Sequence, residues 1–138
     1  MRIIPLFFLA CLLFAGCQQE EVKEIEIEKV IDGDAEPGMV HTVFFWMNED
    51  VDAAGEQAFK DALMELETIP SVKRMFVGPA ADTPQRDVTD NSFDYSLILW
   101  FDDVEGHNAY QVHPTHKAFA EGQGPKFRKV TVYDSVVE

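Results

Sequence analysis

From Met39 onward the apolar positions follow two rhythms in turn. Met39–Met47 reads MVHTVFFWM, a β-branched and aromatic run that predicts a strand. Asn48-Glu49-Asp50 then offers helix caps and first-turn acids. Val51, Ala54, Ala58, Phe59, Ala62, Leu63 and Leu66 recur at helical spacing, with Glu and Lys opposite, and Pro70 stops that helix. Val72–Gly78 predicts a second strand. Ala80–Ser92 is polar and contains Pro84, so a long loop is expected. Phe93–Asp102 predicts a third strand, Val104–Gln111 a short helix, Pro114 the start of a further helical piece, and Arg128–Val137 a last strand.

The order β-α-β-β-α-β is the split βαβ, or ferredoxin-like, pattern of an α+β domain. In the first strand His41, Val43, Phe45 and Met47 share one face, and Val40, Thr42, Phe44 and Trp46 share the other. In the third, Tyr95, Leu97, Leu99 and Phe101 oppose Ser96, Ile98 and Trp100. Both faces are apolar in both strands. Two helices cover only one face of a four-stranded sheet, and a solvated face would alternate with polar residues. The second face therefore needs a cover. A second copy of the chain is the simplest supplier, and a ligand groove lined by Phe44, Trp46 and Trp100 is the alternative.

Ahead of this unit lie two segments of different character. Met1–Cys17 reads MRIIPLFFLACLLFAGC: one positive residue, then an uncharged apolar core too short to span a bilayer. The ending Phe14-Ala15-Gly16-Cys17 resembles a bacterial lipoprotein lipobox, with Phe14 where Leu is most usual. That resemblance implies a signal peptide over residues 1–16 and a lipid on Cys17; an ordinary cleaved signal peptide is the plainer alternative. Gln18 after the cysteine favours the outer membrane where the cell has one. Residues 18–38 carry eight acids, two lysines and no aromatic residue. They read as an acidic tether running from the lipidated cysteine to the domain at residues 39–138, with Ile25 and Ile27 leaving room for a short edge strand.

Composition narrows the partners. The chain has 138 residues, 11 Lys plus Arg against 25 Asp plus Glu, and a net charge of −14. Nothing in that balance can replace a phosphate counterion atmosphere, so no nucleic acid is expected. Anionic headgroups would repel the surface, so a membrane contact has to run through lipid. Both cysteines, Cys11 and Cys17, precede the domain, which therefore has neither a disulfide nor a thiolate metal site.

His41-Thr42-Val43 in the first strand, Val77-Gly78 ending the second, and Tyr110-Gln111-Val112-His113-Pro114-Thr115-His116 together resemble the stress-responsive α/β-barrel (Dabb) family, from about Met39 to Val137. The resemblance implies a homodimer of ferredoxin-like units forming an α/β barrel. It also implies a site at His41, Tyr110 and His116, where the matching residues of cyclising plant members act as acid–base groups. Many bacterial members have no assigned activity. A satisfied buried polar cluster is thus set beside catalysis, and a module binding a small, largely apolar molecule beside a lyase or cyclase acting on a carbonyl or polyketide-like substrate. His113 has no inferred role, and His107, between Gly106 and Asn108, is expected on the surface. His41, His113 and His116 could supply imidazoles to a metal, but the Pro114 turn separates the last two. No metal and no cofactor are expected.

Overall fold

The computed structural model describes residues 37–138; the leader and nearly all of the acidic segment lie outside the described residues. Four strands form one antiparallel sheet: β1 (Met39–Met47), β2 (Arg74–Pro79), β3 (Tyr95–Phe101) and β4 (Phe127–Val136), in the spatial order β2-β3-β1-β4. Helix α1 (Ala53–Glu65) leads from β1 towards β2. Helices α2 (Val104–Val112) and α3 (Pro114–Gln123) lie between β3 and β4. Short 3-10 turns follow α1 at Leu66–Thr68 and α3 at Gly124–Lys126. This is the ferredoxin-like arrangement, with β1 central and β4 on one edge.

The helix-facing side of β1 carries Met39, His41, Val43, Phe45 and Met47, all buried. They pack with Leu97, Leu99 and Phe101 of β3, Phe59 and Leu63 of α1, and Tyr110 and Phe119 of the later helices. Aromatic edges fill the centre: the Phe45 ring lies 5.3 Å from Phe59 and 5.0 Å from Phe127. Gly38 fixes the entry to the sheet. Its N–H donates to the Asp102 carbonyl at 3.1 Å, and a Cβ there would stand 2.2 Å from that oxygen, so only glycine permits the approach.

Helix α1 departs from expectation at its start. Asp52, not a residue of 48–50, is the cap, its carboxylate accepting from the Gly55 N–H at 2.8 Å. The stripe that reaches the core is Phe59, Leu63 and Leu66. Ala54 and Ala58 are exposed, because at about 100° per residue they rotate onto the helix flank. The strands are displaced from their expected ends by two residues or fewer.

The far side of the sheet has no helix over it among the described residues. Val40, Thr42, Phe44, Ile98 and Trp100 are half-buried there, and Phe76 and Tyr133 are 50% and 61% exposed. Trp46 differs from its neighbours on that face. The register shifts between Trp46 and Met47, the Lys129 ammonium sits 3.9 Å from the indole centroid, and the indole N–H donates to Ser92 Oγ at 3.1 Å. Trp46 is thereby buried within its own chain and is not part of the open face.

Candidate functional site

Helix α2 begins where the Asp103 carboxylate accepts from the Gly106 N–H at 2.7 Å. From that cap, His107, Tyr110 and Gln111 stand at helical spacings of three and four and share one face. That face meets the start of β1. His113 ends α2 and caps α3, its Nδ1 accepting from the Thr115 N–H at 3.2 Å, and Pro114 occupies the first turn of α3. His116, in the first turn of α3, then packs back against Tyr110.

The ring centroids of His41 and Tyr110 are 5.8 Å apart and those of Tyr110 and His116 4.4 Å apart, so the three candidates lie in one cluster between sheet and helices. His113 is outside it, held in its cap. His107 reverses expectation. It is buried, its ring centred 4.9 Å from His41 and 5.4 Å from Phe101. Its polar neighbours in sequence suggested a surface position, but the Tyr110 and Gln111 spacing carries it inward. The residue the sequence reading missed altogether is Asp134 of β4. It pairs with His41 across the β1–β4 ladder, and its Oδ1 lies 2.6 Å from His41 Nδ1 and 3.9 Å from His107 Nε2. One signal was available. Val130, Val132, Asp134 and Val136 alternate on one face of β4, and an acid among three valines is out of pattern.

The hydrogen bonds fix protons. A carboxylate only accepts, so His41 donates from Nδ1 to Asp134 and keeps its lone pair on Nε2. A carbonyl also only accepts, so His116 donates from Nδ1 to the Gln111 oxygen at 3.1 Å and keeps its lone pair on Nε2 as well. Burial is the leading cause that lowers the pKa of both rings. For His41 the Asp134 hydrogen bond and charge oppose that shift without reversing it. Burial likewise pushes the Tyr110 hydroxyl far above the ordinary phenol range, so it stays a proton donor. The cluster opens to solvent at Asp134, whose side chain is 45% exposed against 5% for His41. Beside the His107 ring it therefore presents the neutral imidazoles of His41 and His116 with their Nε2 lone pairs, a protonated phenol and a carboxylate. A separate open cleft of about 360 Å³ lies at the other end of β1, lined by Met47, Glu56, Tyr95 and Arg128 among others. Glu56 there is engaged by Lys60 and Tyr95, and the cleft reaches none of the imidazoles.

The sequence matches the stress responsive A/B barrel domain over residues 39–137. The chain belongs to that family. No curated protein matches it. Among solved structures, the Dabb domain resembles a Dabb family protein with a ferredoxin-like fold from Mesorhizobium loti, at 24% identity and TM-score 0.60, over 75% of this chain and 99% of that one. It also resembles a dimeric ferredoxin-like protein of unknown function from Thermobifida fusca, at 22% identity and TM-score 0.61, over 73% and 92%. A third is the hydroxynitrile lyase of Passiflora edulis, at 19% identity and TM-score 0.64, over 75% and 96%. At these identities the likeness establishes the fold.

Proposed function

We propose that this Dabb protein is a membrane-tethered homodimer that binds a small, largely apolar molecule through one polar oxygen. The observation that carries the binding reading is the Tyr110–His116–His41–Asp134 cluster. It sets donor and acceptor atoms at the edge of an apolar core, where they orient a ligand whose remainder is hydrophobic. The dimer reading is supported by the uncovered apolar face of the sheet and by the dimeric relative from Thermobifida fusca. The tether reading rests on the lipobox-like Phe14-Ala15-Gly16-Cys17 and on an acidic chain that anionic lipid repels.

The His41–Asp134 contact favours a second reading, an acid–base enzyme of the lyase or cyclase kind. A carboxylate on Nδ1 orients the ring and strengthens Nε2 as a base, His116 presents a second basic nitrogen, and Tyr110 donates to a carbonyl or enolate oxygen. Each such group typically contributes 10²–10⁴-fold to rate.

Native mass spectrometry of the full chain, purified from its own membrane, tests the binding reading. A small molecule is expected to travel with the wild type and to be lost from His116→Ala at unchanged circular dichroism. Recovery of the same molecule from both, or from neither, rejects it. Cys17→Ser is expected to leave the domain in the soluble fraction or as an unprocessed precursor. A processed, membrane-bound Cys17→Ser protein would end the lipoprotein reading.

A further inference from the structure

His107 has no place in the binding and acid–base readings, yet it is buried against the residues that do. A ring nitrogen of His107, a ring nitrogen of His41 and a carboxylate oxygen of Asp134 all lie within 4.8 Å of one another, and Asp134 Oδ1 stands 2.6 Å from His41 Nδ1 and 3.9 Å from His107 Nε2. They come from three elements, α2, β1 and β4, and converge from three directions. Two imidazoles and one carboxylate form a donor set suited to zinc and its neighbours in the first transition row, and poorly suited to magnesium or calcium, which take oxygen ligands.

We propose that His41, His107 and Asp134 bind a divalent transition metal, zinc being the reference ion. Three features of the site fit. The two rings are almost fully buried and held by packing, His107 on Phe101 and both rings on Tyr110 and on each other, so their orientation is set before any ion arrives. Asp134 stands at the solvent edge, so an ion can enter without opening the core. The Gln111 side-chain nitrogen lies 3.0 Å from His107 Nε2; as an amide it donates there, which marks that nitrogen as the unprotonated one, its lone pair accepting from Gln111.

Binding needs small, definable changes. The ion takes the position of the proton that His41 shares with Asp134, and the His41 ring carries its proton on Nε2 instead. Gln111 withdraws from His107 Nε2. The donor atoms adjust from hydrogen-bond separations to the spacing set by bonds of about 2.0–2.2 Å to one centre. Three protein ligands leave a fourth position open, the arrangement of sites that hold a water or a polarised oxygen. His116 and Tyr110 are not ligands and keep the roles given to them above. The inference goes beyond the ligand-binding reading and does not require it.

The sequence pattern led to no expected metal, and the set differs from the His41, His113 and His116 imidazoles weighed there. His113 and His116 are replaced by His107 and Asp134, because His113 is spent on capping α3 and His116 on the Gln111 carbonyl.

The test uses the full chain, without a histidine tag, purified in detergent and stripped with a chelator. Zinc binding is followed by equilibrium dialysis with elemental analysis, and the fold by circular dichroism. The wild type is expected to take up one zinc per chain. Loss of a supporting outer contact commonly costs 10–100-fold in metal affinity, so loss of a direct ligand in His107→Ala or Asp134→Asn should weaken binding by about 100-fold or more. His113→Ala should bind as the wild type does. Zinc uptake that is equal in wild type and His107→Ala, or absent from a folded wild type, overturns the proposal. Should Asp134→Asn fail to fold, His107→Gln gives the same reading. A small molecule that travels with the protein while zinc does not bind would sink the metal site and leave the ligand-binding reading standing.

Discussion

His41 and His116 are neutral because they are buried, and that has a consequence for stability. In the unfolded chain both titrate near 6.5. In the folded protein desolvation lowers both. As pH falls through 6.5 the unfolded chain therefore takes up protons that the folded protein refuses. Stability then falls with pH, from its full value above 6.5 down to the folded pKa values. Carboxylates titrate mainly below this window. Urea midpoints measured with chelator present, at one protein concentration, should drop between pH 7.5 and pH 5.5. The drop should shrink in His41→Gln and His116→Gln, which cannot titrate. A flat profile in the wild type, or an unchanged slope in both variants, would mean that these rings are as well solvated folded as unfolded.

At the scale of elements, α2 governs the site. It carries His107, Tyr110 and Gln111 on one face, and its start is set by one carboxylate on one amide, Asp103 to Gly106 at 2.7 Å. Replacing an N-cap carboxylate by alanine costs about 1 kcal/mol. Asp103→Ala should lower the unfolding free energy by that amount, read as a lower denaturant midpoint at unchanged slope, and loosen the Tyr110–His116 contact. A midpoint equal to the wild type's would show that packing on Phe101 alone holds the helix. The β1–β4 ladder is the second governing element. It joins residues 93 positions apart and sets His41 opposite Asp134.

At the scale of the molecule, the open sheet face is apolar surface that no helix covers among the described residues. Phe76 is half exposed there, its ring folded over Gly78, so it can be replaced without disturbing the core. Burying such a side chain is worth ~1.5–3 kcal/mol. About half of that remains to be gained at Phe76, and a two-fold interface counts it twice, so Phe76→Asp should weaken the dimer by about 10-fold or more. Sedimentation equilibrium of the full chain in detergent would follow this. A monomeric wild type at tens of micromolar, or a Phe76→Asp protein that associates as tightly, would show that this face does not join two copies. Trp46 is the wrong residue for that experiment, since Lys129 and Ser92 already cover it.

Local periodicity was enough for the fold. The β-branched and aromatic runs at β1 and β3, the 3.6-residue stripe of α1 and the Pro70 and Pro114 punctuation specify β-α-β-β-α-β, because such patterns are properties of neighbours in the chain. The inward face of His41 was legible by the same parity, as it shares its face with Val43, Phe45 and Met47. Tyr110 and His116 were legible only through the family resemblance. Two other residues of the cluster escaped. His107 was obscured by Gly106 and Asn108, though its three-residue spacing to Tyr110 is written in the sequence. Asp134 was out of pattern on its strand, but nothing in a linear chain says which histidine an acid will meet. That pairing exists only because β4 returns to lie beside β1, and strand order is decided by how the helices pack over the whole sheet, not by any segment of it.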